Sequence, residues 1–152
     1  MEKRYNLEGG SSMKKILVSL DGSESSMKAL EKAAEIASKF SSTLILLHVV
    51  SNVSDSAYLA LNEYKQAIEK AYEETGKEIL EDASESVSKD IEVKTLLKHG
   101  DPGKVIIDTA KVEGVDLIVM GNRGLTPVSR VMLGSVSNKV LNNTKSSVLI
   151  VK

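Results

Sequence analysis

The sequence predicts a doubly wound α/β sandwich, a five-stranded parallel sheet with helices on both faces, and three observations carry that prediction. Short apolar runs of strand length alternate with segments of helical periodicity along the chain. The first of these runs, Ile16-Leu17-Val18-Ser19-Leu20, is apolar enough to be covered on both faces, as in a parallel sheet. Each intervening helical segment is long enough to serve as the right-handed crossover that parallel strands require.

Residues 1–12 are polar and end in Gly9-Gly10-Ser11-Ser12 ahead of a second methionine, Met13. They are expected to form a disordered leader, native or added, with the folded domain spanning residues 13–152. After the first strand, Asp21-Gly22-Ser23 turns the chain into a helix with Ser23 as N-cap and Glu24 in its first turn. Met27, Leu30, Ala34 and Ala37 recur at helical spacing to Phe40, and Thr43 to Val50 is the second strand. Following a polar connection, Tyr58 to Ser88 carries the longest helical pattern, with Leu61, Ile68, Tyr72, Ile79, Ala83 and Val87 on one stripe. Gly76 weakens its middle and is a candidate bend.

The third strand is expected over Ile91 to Leu97. Asp101-Pro102 caps and opens a helix whose buried stripe is Val105, Ile106 and Ala110, and Gly114 stops it. Leu117 to Met120 is the fourth strand, a helix runs from Ser135 to Asn143, and Ser147 to Val151 is the last strand.

Composition narrows the function. With 20 basic and 21 acidic residues, a net charge of −1 and 3% aromatics, the chain offers neither a basic face nor a stacking platform for nucleic acid. It has no cysteine, which removes disulfides, thiol catalysis and thiolate metal sites. No apolar run reaches the length of a membrane span and no secretory segment follows Met1, so a cytoplasmic location and no membrane partner are expected. His48 and His99 each lack a second ligand at metal spacing and are expected to be structural, with no protein metal site.

One stretch stands out. The fourth strand stops at Gly121, passes Asn122-Arg123 to Gly124, and crosses nine residues to Gly134, where Ser135-Val136-Ser137 opens a helix. Strand, glycine loop and helix N-terminus form an arrangement in which backbone N–H groups converge on a phosphate. A plain turn followed by a helix start is the alternative reading.

The pattern Gly121-x2-Gly124-x9-Gly134-Ser135 resembles the nucleotide-binding motif of the universal stress protein family, in its ATP-binding branch. The likeness extends from Lys14-Lys15-Ile16-Leu17-Val18 to Val148-Leu149-Ile150-Val151. It implies a strand order of 3-2-1-4-5, which sets the first and fourth strands side by side with Asp21 and Gly121 at their ends. In such sheets ligands bind beyond the carboxyl ends of the strands, where the order reverses. The resemblance implies an adenosine contact at Asp21, flanked by Ser19, and an adenine edge read by the main chain at Val49. Many members carry proline near Ser19, a departure that bears on the ribose side. Gly124, Gly134, Ser135, Val136 and Ser137 would cradle the phosphates with backbone N–H groups and the two hydroxyls, following Gly121 at the strand end. Met120 is expected to pack as core and to line the wall as well, and Arg123, at a position where members vary, to pair with phosphate oxygens or to stand solvated in the loop. The expected ligand is ATP, with any Mg²⁺ carried on the phosphates. The resemblance also implies an antiparallel homodimer through Val148–Val151, an apolar edge strand open to pairing.

The favoured reading is therefore an ATP-binding regulatory protein. A slow ATP hydrolase using a positioned water and a nucleotide-free dimeric scaffold are the alternatives. The loop lacks the Gly-Lys-Ser/Thr ending of a P-loop. The first-strand turn lacks both the G-x-G-x-x-G of dinucleotide enzymes and the paired glycines of ATP pyrophosphatases. A phospho-acceptor receiver would need a second acidic residue beside Asp21, and none is there.

Overall fold

The computed structural model describes residues 12–52, 62–125 and 132–152. Nine elements follow in order: β1 (Lys15–Ser19), α1 (Glu24–Phe40), β2 (Thr43–Val50), α2 (Asn62–Ser86), β3 (Val93–His99), α3 (Pro102–Glu113), β4 (Leu117–Gly121), α4 (Ser135–Asn143) and β5 (Ser147–Val151). The leader, save Ser12, and the expected start of the long helix at Tyr58 lie outside the described residues.

The five strands form one parallel sheet in the order β3-β2-β1-β4-β5. Strand side chains alternate between its faces. Ile16, Val18, Leu44, Leu46 and Val119 pack with Ala29, Leu30 and Ala33 of α1 and Leu80 and Ala83 of α2. Leu17, Ile45, Leu47, Ile118 and Met120 pack with Ile106 and Ala110 of α3 and Val140 of α4. The central strands are thus covered on both sides, which is why their sequences read as unbroken apolar runs.

Helix ends follow local chemistry. Ser23 caps α1 by accepting the Ser26 N–H at 3.2 Å, and Asp101 caps α3 by accepting the Lys104 N–H at 2.9 Å. Gly114 ends α3 at a φ of 65°, the left-handed turn glycine adopts without a Cβ clash.

Three expectations need correction. β3 begins and ends two residues later than Ile91–Leu97, because the Ile91 N–H is tied back to the Ser88 carbonyl at 3.0 Å and β2 pairs onward to His99. Val105 is half-buried, and Gly103 and Thr109 join Ile106 and Ala110 on the buried face of α3. α2 continues as helix through Gly76, whose role is close approach: a Cβ there would lie 2.6 Å from His48 Cδ2 and 2.8 Å from Leu97 Cδ1. Among the described residues no helix is long and apolar enough to cross a membrane.

Candidate functional site

β1 and β4 lie side by side, and the chain leaves them toward opposite faces of the sheet, to α1 and α4. Among the described residues nothing fills the gap beyond their carboxyl ends, and a cleft of about 740 Å³ opens there. All eleven residues singled out in the sequence line it. Ser19, Val49, Met120 and Gly121 belong to the strand ends, Asp21 to the turn after β1, and Arg123 and Gly124 to the loop after β4. Gly134, Ser135, Val136 and Ser137 form the wall at the start of α4.

The two ends of the cleft differ chemically. At the α4 end the first intrahelical bond runs from Asn138 N–H to Gly134 carbonyl at 2.9 Å. The N–H groups of Ser135, Val136 and Ser137 therefore have no partner within the helix. Unlike Ser23 and Asp101, the N-cap Gly134 has no side chain to supply one. These donors and the helix dipole favour an anion. At the β2 end, Leu20 N–H donates to Leu47 carbonyl at 2.9 Å, whereas Val50 carbonyl takes Gly100 N–H at 3.0 Å on the other side. By that alternation Val49 directs its N–H and C=O to the β1 side, like Leu47. The β1 register stops at Ser19 opposite Leu47, so this donor–acceptor pair faces the cleft rather than a neighbouring strand.

Hydrogen bonds fix the loops between these ends. Asp21 Oδ1 accepts Ser23 N–H at 2.9 Å, so Asp21 shapes its own turn, while its Oδ2 lies where a Cβ on Gly124 would approach to 2.8 Å. The Ser25 hydroxyl donates to Arg123 carbonyl at 2.6 Å, tying the two loops together. Gly134 N–H donates to Asn122 carbonyl at 2.8 Å and closes the long loop at its base. The Ser137 hydroxyl, expected to serve phosphate, instead donates to Gly121 carbonyl at 2.8 Å. It can still accept, but its proton is committed to the loop, which leaves Ser135 as the exposed hydroxyl of the pair.

The sequence reading missed several cleft residues. His48, expected to be structural, holds Leu20 carbonyl at 2.8 Å through Nδ1 and also lines the cleft. A carbonyl only accepts, so Nδ1 carries the proton in that bond. From α2, Ile68, Tyr72, Thr75 and Ile79 form a wall, and Pro102 of α3 faces the cleft from the other side of the sheet. Helical periodicity identified the stripe on α2 but not what it faces.

Fold and cleft together define a doubly wound α/β protein with an open cleft at its topological switch point. A family model described as the universal stress protein family matches residues 13–152, and the chain belongs to that family. It is 36% identical over 146 residues to universal stress protein YxiE of Bacillus subtilis, covering 91% of this chain and 98% of the relative. Its fold is similar to the solved structure of protein MJ0577 of Methanocaldococcus jannaschii, with a TM-score of 0.80, 30% identity, and coverage of 93% of this chain and 96% of the other. It is also similar to a universal stress protein solved in complex with cAMP, with a TM-score of 0.62, 26% identity, and coverage of 93% and 98%.

Proposed function

We propose that this cleft binds an adenine nucleotide, ATP in the first place, and that the protein acts as a nucleotide-dependent regulatory module of the stress response. The observation that carries the reading is the pairing, in one cleft, of the outward-facing Val49 donor–acceptor edge with the uncapped N-terminus of α4. An N–H beside a C=O matches the N1 and N6 edge of adenine, and three convergent N–H groups match a phosphate. The relative solved with cAMP supports the same ligand class. Asp21 would take the ribose side with Ser19 beside it, Met120 would line the wall, and Arg123 would add charge at the phosphate end.

Among the described residues Asp21 is the one carboxylate lining the cleft, and its Oδ1 is already occupied by Ser23 N–H. That set does not form a cage for a divalent ion, which fits Mg²⁺ carried on the phosphates with its own waters. It also provides no paired acid and base, which favours binding over turnover.

The test is to identify small molecules released from freshly purified, heat-denatured protein, followed by calorimetry with added ATP. Stoichiometric ATP or a saturable response is expected. No nucleotide and no heat of binding would overturn the proposal. Assembly belongs to the same reading: β5 is an edge strand with Val148, Leu149, Ile150 and Val151 all half-buried, suited to pairing with a second copy. Leu149→Lys should convert a dimer to monomer in sedimentation, and an unchanged dimer would place the interface elsewhere.

A further inference from the structure

Folding leaves part of the apolar stripe on α2 outside the core. On the C-terminal side of Gly76, Leu80, Ala83 and Val87 are buried against the sheet and α1. On the N-terminal side, Ile68 is half-buried and Tyr72 is 53% exposed, and both line the cleft. Their neighbours between Asn62 and Gly76 are mostly Glu, Lys, Gln and Ala. A ring and a branched aliphatic at i and i+4, with Thr75 and Ile79 continuing the same face, make an uncharged wall in an otherwise charged helix.

Its position selects its partner. α2 packs on β2 and β3, so the wall stands at the Val49 end of the cleft, whereas β4 and α4 build the anion end. Gly76 fixes this placement by bringing α2 down onto His48 and Leu97. The face of an aromatic ring on an uncharged wall suits the flat face of a base better than it suits a phosphate.

We propose that Tyr72, backed by Ile68, packs against the face of the base held at Val49, so that α2 supplies the base-packing wall of the site. This rests on the adenine-nucleotide reading above. The phenol is half in solvent without ligand, and it is covered when the base is bound. A helix half with little anchoring in the core is then held by the ligand itself.

The experiment titrates the full chain with ATP by calorimetry, comparing wild type with Tyr72→Ala, Tyr72→Phe and the control Tyr64→Ala. Tyr64 lies two turns earlier on α2, is 61% exposed and does not line the cleft. Tyr72→Ala should weaken ATP binding about tenfold, within the range for loss of one base–aromatic contact. Tyr72→Phe and Tyr64→Ala should stay within about twofold of wild type, since both keep the packing ring. The chain has no tryptophan, so ATP should quench tyrosine emission directly, and Tyr72→Phe should remove most of that change. Circular dichroism of Tyr72→Ala checks the fold, which its exposure leaves intact. Equal ATP affinity in wild type and Tyr72→Ala would overturn the base-packing role while leaving the nucleotide reading in place. A Tyr72→Phe as weak as Tyr72→Ala would overturn packing in favour of the hydroxyl. Absence of ATP binding in wild type would bring down the nucleotide reading, and this inference with it.

Discussion

Two helices start on either side of the crossover, and they treat their first turns in opposite ways. α1 follows β1 after a short turn and satisfies itself: Ser23 takes the Ser26 N–H, and the Ser26 hydroxyl returns a bond of 2.9 Å to Ser23 carbonyl. α4 follows β4 after a long loop and leaves its first donors to the cleft behind a glycine cap. Both helices carry serine at the third position, but Ser137 reaches across the loop to Gly121 carbonyl instead of back to its own cap. One N-terminus is capped by its own serines, with Ser25 alone reaching out to Arg123 carbonyl. The other is held in shape by long-range bonds and left uncapped, an arrangement that favours an anion.

The comparison also explains the glycines. A Cβ on Gly121 would collide with the Ser25 side chain and come within 2.8 Å of the Ser25 backbone carbon. A Cβ on Gly134 would lie 3.2 Å from Asn122 carbonyl oxygen. The motif is thus needed to seat α1's first turn and close the loop, before any phosphate is considered. Gly121→Ala should therefore have the largest effect on stability, about 3 kcal/mol in urea unfolding, because backbone rather than a flexible side-chain tip must move. A loss under about 0.5 kcal/mol would mean that the two first turns are not packed on one another as described.

Ser137→Ala probes the long-range bond and should cost about 1–2 kcal/mol, since Ser137 is 3% exposed and the buried Gly121 carbonyl loses its hydroxyl donor. Ser26→Ala removes a bond inside its own cap and a long one, 3.5 Å, accepted from the nearby Asp21 N–H, both local in sequence, and should cost less, about 0.5 kcal/mol. If the two losses were equal, the contrast between local and long-range closure would fail.

Gly124 separates fold from function. Its added Cβ would meet Asp21 Oδ2 at 2.8 Å, the end of a side chain that can rotate away. Gly124→Ala should change stability by less than about 1 kcal/mol and weaken ATP binding about fivefold by displacing the Asp21 carboxylate. Unchanged affinity would remove Asp21 from the ligand's surroundings.

How much of this was legible beforehand follows from which interactions are local. The strands, the caps at Ser23 and Asp101 and the stop at Gly114 were readable, because each is decided by residues within a turn of one another. The order 3-2-1-4-5 came through family resemblance, since alternation dictates parallel crossovers but not which strand edges meet. The eleven candidate site residues do converge on one cleft, yet the partners that explain the glycines, Ser25 for Gly121 and Asp21 for Gly124, are distant in sequence. The α2 stripe failed differently. Ile68 and Tyr72 share the period of Ala83 and Val87, and period alone cannot separate a face turned to the core from one turned to a cleft.

The helix outside the crossover supplies the smallest effect and a control on electrostatics. α3 is capped by an ionised group: Asp101 Oδ1 accepts Lys104 N–H at 2.9 Å and Lys139 Nζ of α4 at 2.7 Å. The hydrogen bond from Lys139, then that from the Lys104 N–H, holds this exposed carboxyl below its usual 3.8. A folded pKa below the unfolded one means the charged form favours the fold. Its contribution is complete above the unfolded value and is lost as pH falls through the lower folded value. Asparagine caps nearly as well as aspartate without the charge. Asp101→Asn should therefore melt slightly below wild type at about pH 6, with the gap closing toward about pH 2. The Ser23 cap of α1 does not titrate, so the effect of Ser23→Ala measured beside it should hold steady through the same interval. A gap for Asp101→Asn that stayed constant to the acid end would assign the cap to side-chain shape alone, and the link between α3 and α4 would then owe nothing to charge.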